Sequence, residues 1–323
     1  MESKDAGLAL VRTRSASLLR LRSTPLRMLA TLAFPLNPED PDLPMTNNQQ
    51  PATSNQQPTT TFLKLGGSLI TDKTKVEHAR KPIIRRLARE IKAAREARPD
   101  LQLVLGHGSG SFGHVAAKKH GTRAGVKDRA GWLGYAEVAA SAARLNQILT
   151  DVLVAEGVPV VSLPPSTTAR CDDGRLSYLD TFVLRTLLEH GLVPLVQGDV
   201  ALDAVRGATI VSTEEVFIYL IREFQPTHIL LAGEVAGVYE QPGLNGAIIP
   251  VITPGNVAQY AAALGGSHGV DVTGGMLGKV QQMLDVVQRY PALEAHIFSG
   301  AVRGNVQRLL IDPTASIGTT LRL

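Results

Sequence analysis

Three lysines and a histidine stand beside glycine-rich turns, a combination suited to holding a polyphosphate. Lys64 lies two residues before Gly66-Gly67-Ser68, and Lys73 follows the same turn after Asp72. His114 closes the run GHGSGSFGH at 106–114, and Lys279 sits one turn into a helix expected to open at Gly274-Gly275. Singly, each has an ordinary reading: a lysine is usually a solvated surface charge and a lone histidine a cap. Lys64 differs because it interrupts the apolar run TFLKL, where an ammonium is costly unless paired. Asp199, directly after Gly198, is expected to hold two lysines in place, its ordinary alternative being a turn or N-cap aspartate. Glycine allows close backbone approach to a ligand, and N–H groups at helix starts bind anions.

The elements that position these residues alternate between strand and helix. Strands are expected at 61–65, 101–105, 158–163, 192–196, 228–233, 296–300 and 316–323. Helices are expected at 81–97, 131–157, 179–190, 213–224, 274–289 and 305–310, with a hairpin at 201–211 around Arg206-Gly207. This alternation predicts an α/β three-layer sandwich, a mostly parallel central sheet with helices on both faces. In such sheets ligands sit beyond the carboxyl ends of the strands. Glycines follow several of those ends, at 66–67, 106–113, 198 and 233, which is hard to assign to turn-making alone.

GSGSFG at 108–113 also matches G-x-G-x-x-G, with Asp128 near the expected ribose acid. The residues around Asp128 are polar and lack strand character, so a dinucleotide fingerprint fits poorly. No G-x-x-x-x-G-K-[ST] is present, which excludes a P-loop. The chain has 323 residues, 44% hydrophobic and only 4% aromatic, so its core is built from aliphatic side chains. Its formal net charge of +4, without dense basic runs in the globular part, does not suggest nucleic-acid binding. The single cysteine, Cys171, excludes an internal disulfide and a cysteine-rich zinc site. No apolar run approaches the roughly 20 residues of a membrane span.

Residues 1–60 do not read as fold. Residues 11–34 are Arg/Ser/Leu-rich without acids, as in presequences, and 35–58 have linker composition; translation starting at Met45 is the alternative. The globular domain is expected at 61–323, with an acceptor lobe at roughly 61–200 and a nucleotide lobe at roughly 201–323.

KLGGSLITDK (64–73), GHGSGSFGH (106–114), QGDV (197–200), GVY (237–239) and DVTGGMLGK (271–279) together resemble the isopentenyl phosphate kinases of the amino-acid-kinase superfamily. The resemblance spans 61–323 and implies the amino-acid-kinase fold and ATP-dependent conversion of isopentenyl phosphate to isopentenyl diphosphate. It implies that Lys64, Gly66, Gly67, Ser68, Gly110, Gly274, Gly275 and Lys279 approach the nucleotide phosphates. Gly233, Glu234, Gly237 and Tyr239 would line the nucleotide. Ser109, Gly110, His114 and Gly198 would hold the acceptor phosphate, with Lys64, Lys73, His114, Asp199 and Lys279 as the catalytic set. Departures fall at Gln197, where members often carry His, at Glu234 and Ala236, where aspartates are usual, and at 212–215.

A phosphate acceptor is largely dianionic, since its second pKa is about 6, and it needs no base. The obstacle is repulsion between two anions, so positive groups and N–H donors carry the catalysis. His114 is therefore expected to donate to the acceptor. ATP with Mg²⁺ is expected, without a dedicated protein metal cage. The helical stretch 136–149 offers an apolar wall for the five-carbon tail. A cytoplasmic homodimer without nucleic-acid or membrane partners is expected. A fosfomycin-type kinase, or a non-catalytic nucleotide-binding regulator, is the alternative.

Overall fold

The computed structural model describes residues 60–242, 244–264 and 275–323, which belong to one compact unit. The expectations for 1–59, including the presequence-like stretch and the Met45 start, lie outside them, as do Asp271–Gly274 of the late glycine motif.

In chain order, the first part comprises β1 (Thr60–Leu65), α1 (Gly67–Ile70), α2 (Lys81–Ala97), β2 (Gln102–His107), α3 (Gly110–His120), α4 (Arg129–Ala155), β3 (Val160–Ser162) and α5 (Pro165–Thr168). There follow β4 (Ala169–Asp172), β5 (Arg175–Leu179), α6 (Phe182–Glu189), β6 (Val193–Gln197), β7 (Asp199–Asp203), β8 (Gly207–Val211) and α7 (Thr213–Phe224). The last part holds β9 (His228–Gly233), β10 (Tyr239–Gln241), β11 (Asn245–Ile248), β12 (Val251–Ile252), α8 (Ala261–Leu264), α9 (Gly275–Arg289), β13 (Glu294–Ser299), α10 (Asn305–Ile311) and β14 (Thr319–Leu321).

Eight strands form the central sheet in the order β12-β14-β13-β9-β1-β2-β6-β3. Every pairing in it is parallel except β13 with β14. Strand alternation sorts its side chains between two faces. Leu63, Leu65, Leu103, Leu105, Leu195 and Leu230 pack on α2, α4 and α10. Phe62, Val104, Val196, Ile229 and Ile297 pack on the other face with α7 and α9. The result is the three-layer α/β sandwich, with both sheet faces covered as a parallel sheet requires.

A second sheet, β5-β4-β7-β8, grows from the carboxyl end of β6, since β7 begins two residues after β6 ends. Its β7–β8 hairpin is the one anticipated around Arg206-Gly207. The β4–β5 hairpin was not anticipated; it takes Leu179 into a strand, so the helix expected from 179 begins only at Phe182. The last strand is three residues long where eight were expected, because β12 and β13 pair only with Thr319–Leu321.

The glycine run at 106–113 also differs from a plain loop. Gly110 takes φ +51° and opens α3, which extends to His120. Gly66-Gly67-Ser68 likewise opens a single helical turn, α1. Among the described residues, no helix is long and apolar enough to cross a membrane.

Candidate active site

A cavity of about 380 Å³ opens at the carboxyl edge of the central sheet. Lys64, Gly66, Gly67, Ser68, Lys73, Ser109, Gly110, His114, Gly198, Asp199, Gly233 and Lys279 all line it. The floor is two interlocked turns. Gly66 N–H donates to Ala232 O at 2.8 Å and Gly108 N–H to Leu65 O at 3.0 Å, so β1, β2 and β9 end in one hydrogen-bonded seam. A side chain at Gly67 would place its Cβ 2.5 Å from Gly110 N and 2.7 Å from its Cα, so both positions must be bare. Thr71 fastens the pair: its hydroxyl donates to Gly67 O at 2.7 Å and accepts from Ser111 N–H at 2.9 Å. This holds the first turn of α3 on the cavity wall, where the positive end of the helix dipole favours an anion.

Strand geometry explains the placement of Lys64. It shares a face with Phe62, whose ring packs on Phe217 of α7 at 5.0 Å between centroids. Glu214 precedes Phe217 by three residues on the same helix face, so the Lys64 ammonium meets the Glu214 carboxylate in an ion pair. The two side chains are only 12% and 9% exposed. Burial pushes the Glu214 carboxyl up, but the nearby Lys64, with Lys279 adding to it, outweighs burial and holds it below the usual range. Gly106, opposite Lys64 in the β1–β2 register, lets α7 come this close: a Cβ there would lie 2.5 Å from Thr213 Cγ2 and 2.7 Å from Phe217 Cζ.

Glu214, not Asp199, is thus the carboxylate that pairs a lysine. Asp199 accepts from Val200 N–H at 2.8 Å, Ser166 N–H at 3.2 Å and Gln197 Nε2 at 3.4 Å, and forms no ion pair among the described residues. Burial raises its pKa. These bonds tie α5 to the start of β7, and Asp199 still lines the cavity. Glu214 escaped notice because 212–215 read only as a departure from a family motif. The available signal was the capping box, in which Ser212 and Glu215 close the α7 N-terminus and leave Glu214 to turn inward.

Behind the second glycine turn lies a buried polar chain. His107 Nδ1 donates to Gly108 O at 3.1 Å, Asn146 Nδ2 lies 3.1 Å from Nε2, and Ser162 donates to Asn146 Oδ1 at 2.6 Å. Burial lowers the His107 pKa to about 4, so the ring is neutral near pH 7. The backbone carbonyl of His107 accepts from Thr213 Oγ1 at 2.7 Å, which fixes the start of α7 to the end of β2.

Among the described residues, the cavity wall carries five cationic side chains, Lys64, Lys73, Lys118, Arg123 and Lys279, against two carboxylates, Asp199 and Glu214. One carboxylate is spent on Lys64, so the remaining charge favours an anionic occupant. One end is apolar: Ala117, Val138, Ala142 and Ile210 line it. Val138 and Ala142 are the contribution of the 136–149 stretch, while Leu145 and Leu149 pack in the core. Lys118, Arg123 and Ile210 were not foreseen, because no motif marks them.

Four residues expected at the nucleotide lie off the cavity wall. Glu234 is exposed and pairs with Arg80 at 2.6 Å. Gly237 is a packing glycine, where a Cβ would lie 2.7 Å from Ile248 Cγ2. Tyr239 opens the β10–β11 hairpin, and Gly275 is buried in the first turn of α9. Val235, Leu231, Met276 and Ile297 line that side instead. Gly274 lies outside the described residues.

A parallel sheet with anion-accepting turns at its carboxyl edge is the framework of a phosphate-handling enzyme. Residues 59–299 match the model of the amino acid kinase family, and the chain belongs to that family. Its similarity within the family is to isopentenyl phosphate kinases. It is 33% identical over 257 residues to that of Methanothermobacter thermautotrophicus, covering 77% of this chain and 94% of the relative. It is 36% identical over 239 residues to that of Haloferax volcanii, covering 73% and 90%. A solved isopentenyl phosphate kinase structure superposes with a TM-score of 0.69 at 29% identity, over 81% of this chain and 99% of the other.

Proposed function

We propose that this chain transfers the γ-phosphoryl group of ATP to isopentenyl phosphate, giving isopentenyl diphosphate and ADP. The observation that carries the proposal is the single cavity in which Lys64, Lys73, His114 and Lys279 face the first turn of α3, with an apolar end at Val138 and Ala142. An acceptor phosphate oxygen attacks the γ-phosphorus as the bond to the β-phosphate oxygen breaks, and ADP leaves with that electron pair. Ser109, Gly110, His114 and Gly198 receive the acceptor phosphate. Lys64, Lys73 and Lys279, with the turn at 66–68, receive the nucleotide phosphates and the charge in transfer. No base is required, so His114 acts as a donor. The prenyl tail occupies the apolar end, and Val235 and Met276 flank the nucleotide.

Mg²⁺ fits as a companion of the nucleotide. Glu214 and Asp199 are both engaged, so the metal would be held chiefly by phosphates and water, which suits its reluctance to dehydrate. The acceptor side comprises residues up to about 211, since β8 contributes Ile210, and the nucleotide side follows. A cytoplasmic homodimer belongs to the same reading, which sedimentation of the purified chain tests.

Purified protein with ATP and Mg²⁺ is expected to release ADP with isopentenyl phosphate and with dimethylallyl phosphate, and to be inactive with fosfomycin. Turnover of fosfomycin alone would reassign the acceptor. Nucleotide binding without turnover of any small phosphate would make the chain a regulator.

A further inference from the structure

At the opposite edge of the central sheet, three metal-ligating side chains converge. His228 is the first residue of β9 and Glu294 the first of β13, and the two are register partners in the parallel pair. His296 lies two residues beyond Glu294, so both side chains project from the same face. One ligand atom from each of the three lies within 4.8 Å of the others. We propose that His228, Glu294 and His296 bind one zinc ion, with water completing a tetrahedral site.

The residue whose surroundings demand an explanation is His296. It is only 2% exposed, and its Nε2 has no hydrogen-bond partner. Glu294 Oε2 is the nearest opposite charge, at 3.8 Å, too far for a hydrogen bond. An orphaned imidazole nitrogen inside a protein is costly, and a metal ion would satisfy it.

The surrounding groups suit this role. Arg322 Nη1 lies 3.7 Å from Glu294 Oε1, which leaves Oε2 turned toward His296. Thr320 Oγ1 stands 3.3 Å from His296 Nδ1, and Thr227 Oγ1 stands 2.9 Å from His228 Nδ1. With Nε2 on the metal, each Nδ1–H donates to its hydroxyl, the outer bond that orients ligating imidazoles. Arg98 repels a cation near His228, and its own pairing with Asp100 at 2.7 Å offsets that charge. Two imidazoles, one carboxylate and water form a donor set that zinc accepts. Tetrahedral zinc places ligand atoms about 3.3 Å apart, so ligand atoms that now lie within 4.8 Å of one another would draw together by up to about 1.5 Å on binding.

The site stands apart from the phosphate cavity. β9 runs six residues from His228 to Gly233, about 17 Å at strand rise. The ion would pin the start of β9 to β13 and, through Thr320, to β14. It stabilises the fold without touching substrate.

The test uses the full chain, stripped of metal and free of nucleotide. Equilibrium dialysis against Zn(II) is expected to give one ion per chain lost in His228→Ala, and Co(II) substitution is expected to give the strong visible absorption of tetrahedral coordination. His228→Ala and Glu294→Gln should each weaken Zn(II) binding at least about tenfold and abolish the zinc-dependent rise in Tm, leaving ADP release unchanged. Glu294→Gln is isosteric and partly exposed, so it reports even if His228→Ala folds poorly. Absence of Zn(II) binding by the wild type, or equal affinity in wild type and Glu294→Gln, overturns the proposal. Neither result bears on the kinase reaction.

Discussion

Glu214→Gln tests the electrostatic organisation of the cavity most directly. The Lys64–Glu214 pair is buried, with side chains 12% and 9% exposed, so solvent screens it little. Removing one partner of such a pair costs about 3–5 kcal/mol, because an uncompensated charge stays inside. Glutamine keeps an acceptor oxygen for the ammonium, which puts the expected loss near 3 kcal/mol. For a domain of this size that is a fall of about 6–12 °C in Tm. A saturating non-hydrolysable ATP analogue should raise the Tm of the variant more than that of the wild type, since phosphate replaces the missing carboxylate. The pH dependence has a defined sign. The folded pKa of Glu214 is depressed, so its stabilisation is present above the unfolded value near 4.5 and is lost as pH falls through the folded pKa. The difference between wild type and variant should therefore shrink in acid. Thermal melts with and without the analogue measure all three effects. Equal Tm values without nucleotide would refute the buried pair, and equal ligand-induced shifts would refute its closeness to the phosphates.

His114→Gln should retain more kcat than His114→Ala, because glutamine still donates a hydrogen bond; equal losses would exclude the donor role. Gly67→Ala would set a Cβ 2.5 Å from Gly110 N, backbone against backbone, costing about 1–3 kcal/mol and weakening ATP binding about tenfold or more by calorimetry. The neutral His107, with its pKa lowered to about 4, makes stability fall as pH drops from 6.5 toward 4, where only the unfolded chain takes up the proton. That single site contributes up to about 3 kcal/mol over the interval, and His107→Gln should flatten urea-melt stability against pH there by one proton.

Much of the framework was legible because local chemistry encodes it. α2, α7 and β9 occupy the residues that periodicity marked, and Gly66, Gly67, Gly110 and Gly198 fall on the cavity edge as the strand–glycine pattern implied. The β4–β5 hairpin was not legible. Its strands are only four and five residues long, too short for a periodic pattern to stand out, and are held mainly by pairing with each other and with β7. α3 was hidden by the four glycines of 106–113, since helix propensity counts against a start that Thr71 and the facing turn at Gly67 impose from outside.

The sequence by itself determined the anionic character of the ligand, because a lysine within an apolar strand and N–H-rich turns at strand ends state their chemistry locally. Which groups meet was decided only by the tertiary structure. Lys64 finds Glu214 across 150 residues, and His228 meets Glu294 and His296 through the β9–β13 register. Parallel strands are joined by long crossovers, so their register depends on how helices pack across the sheet, and no local pattern of residues carries that information.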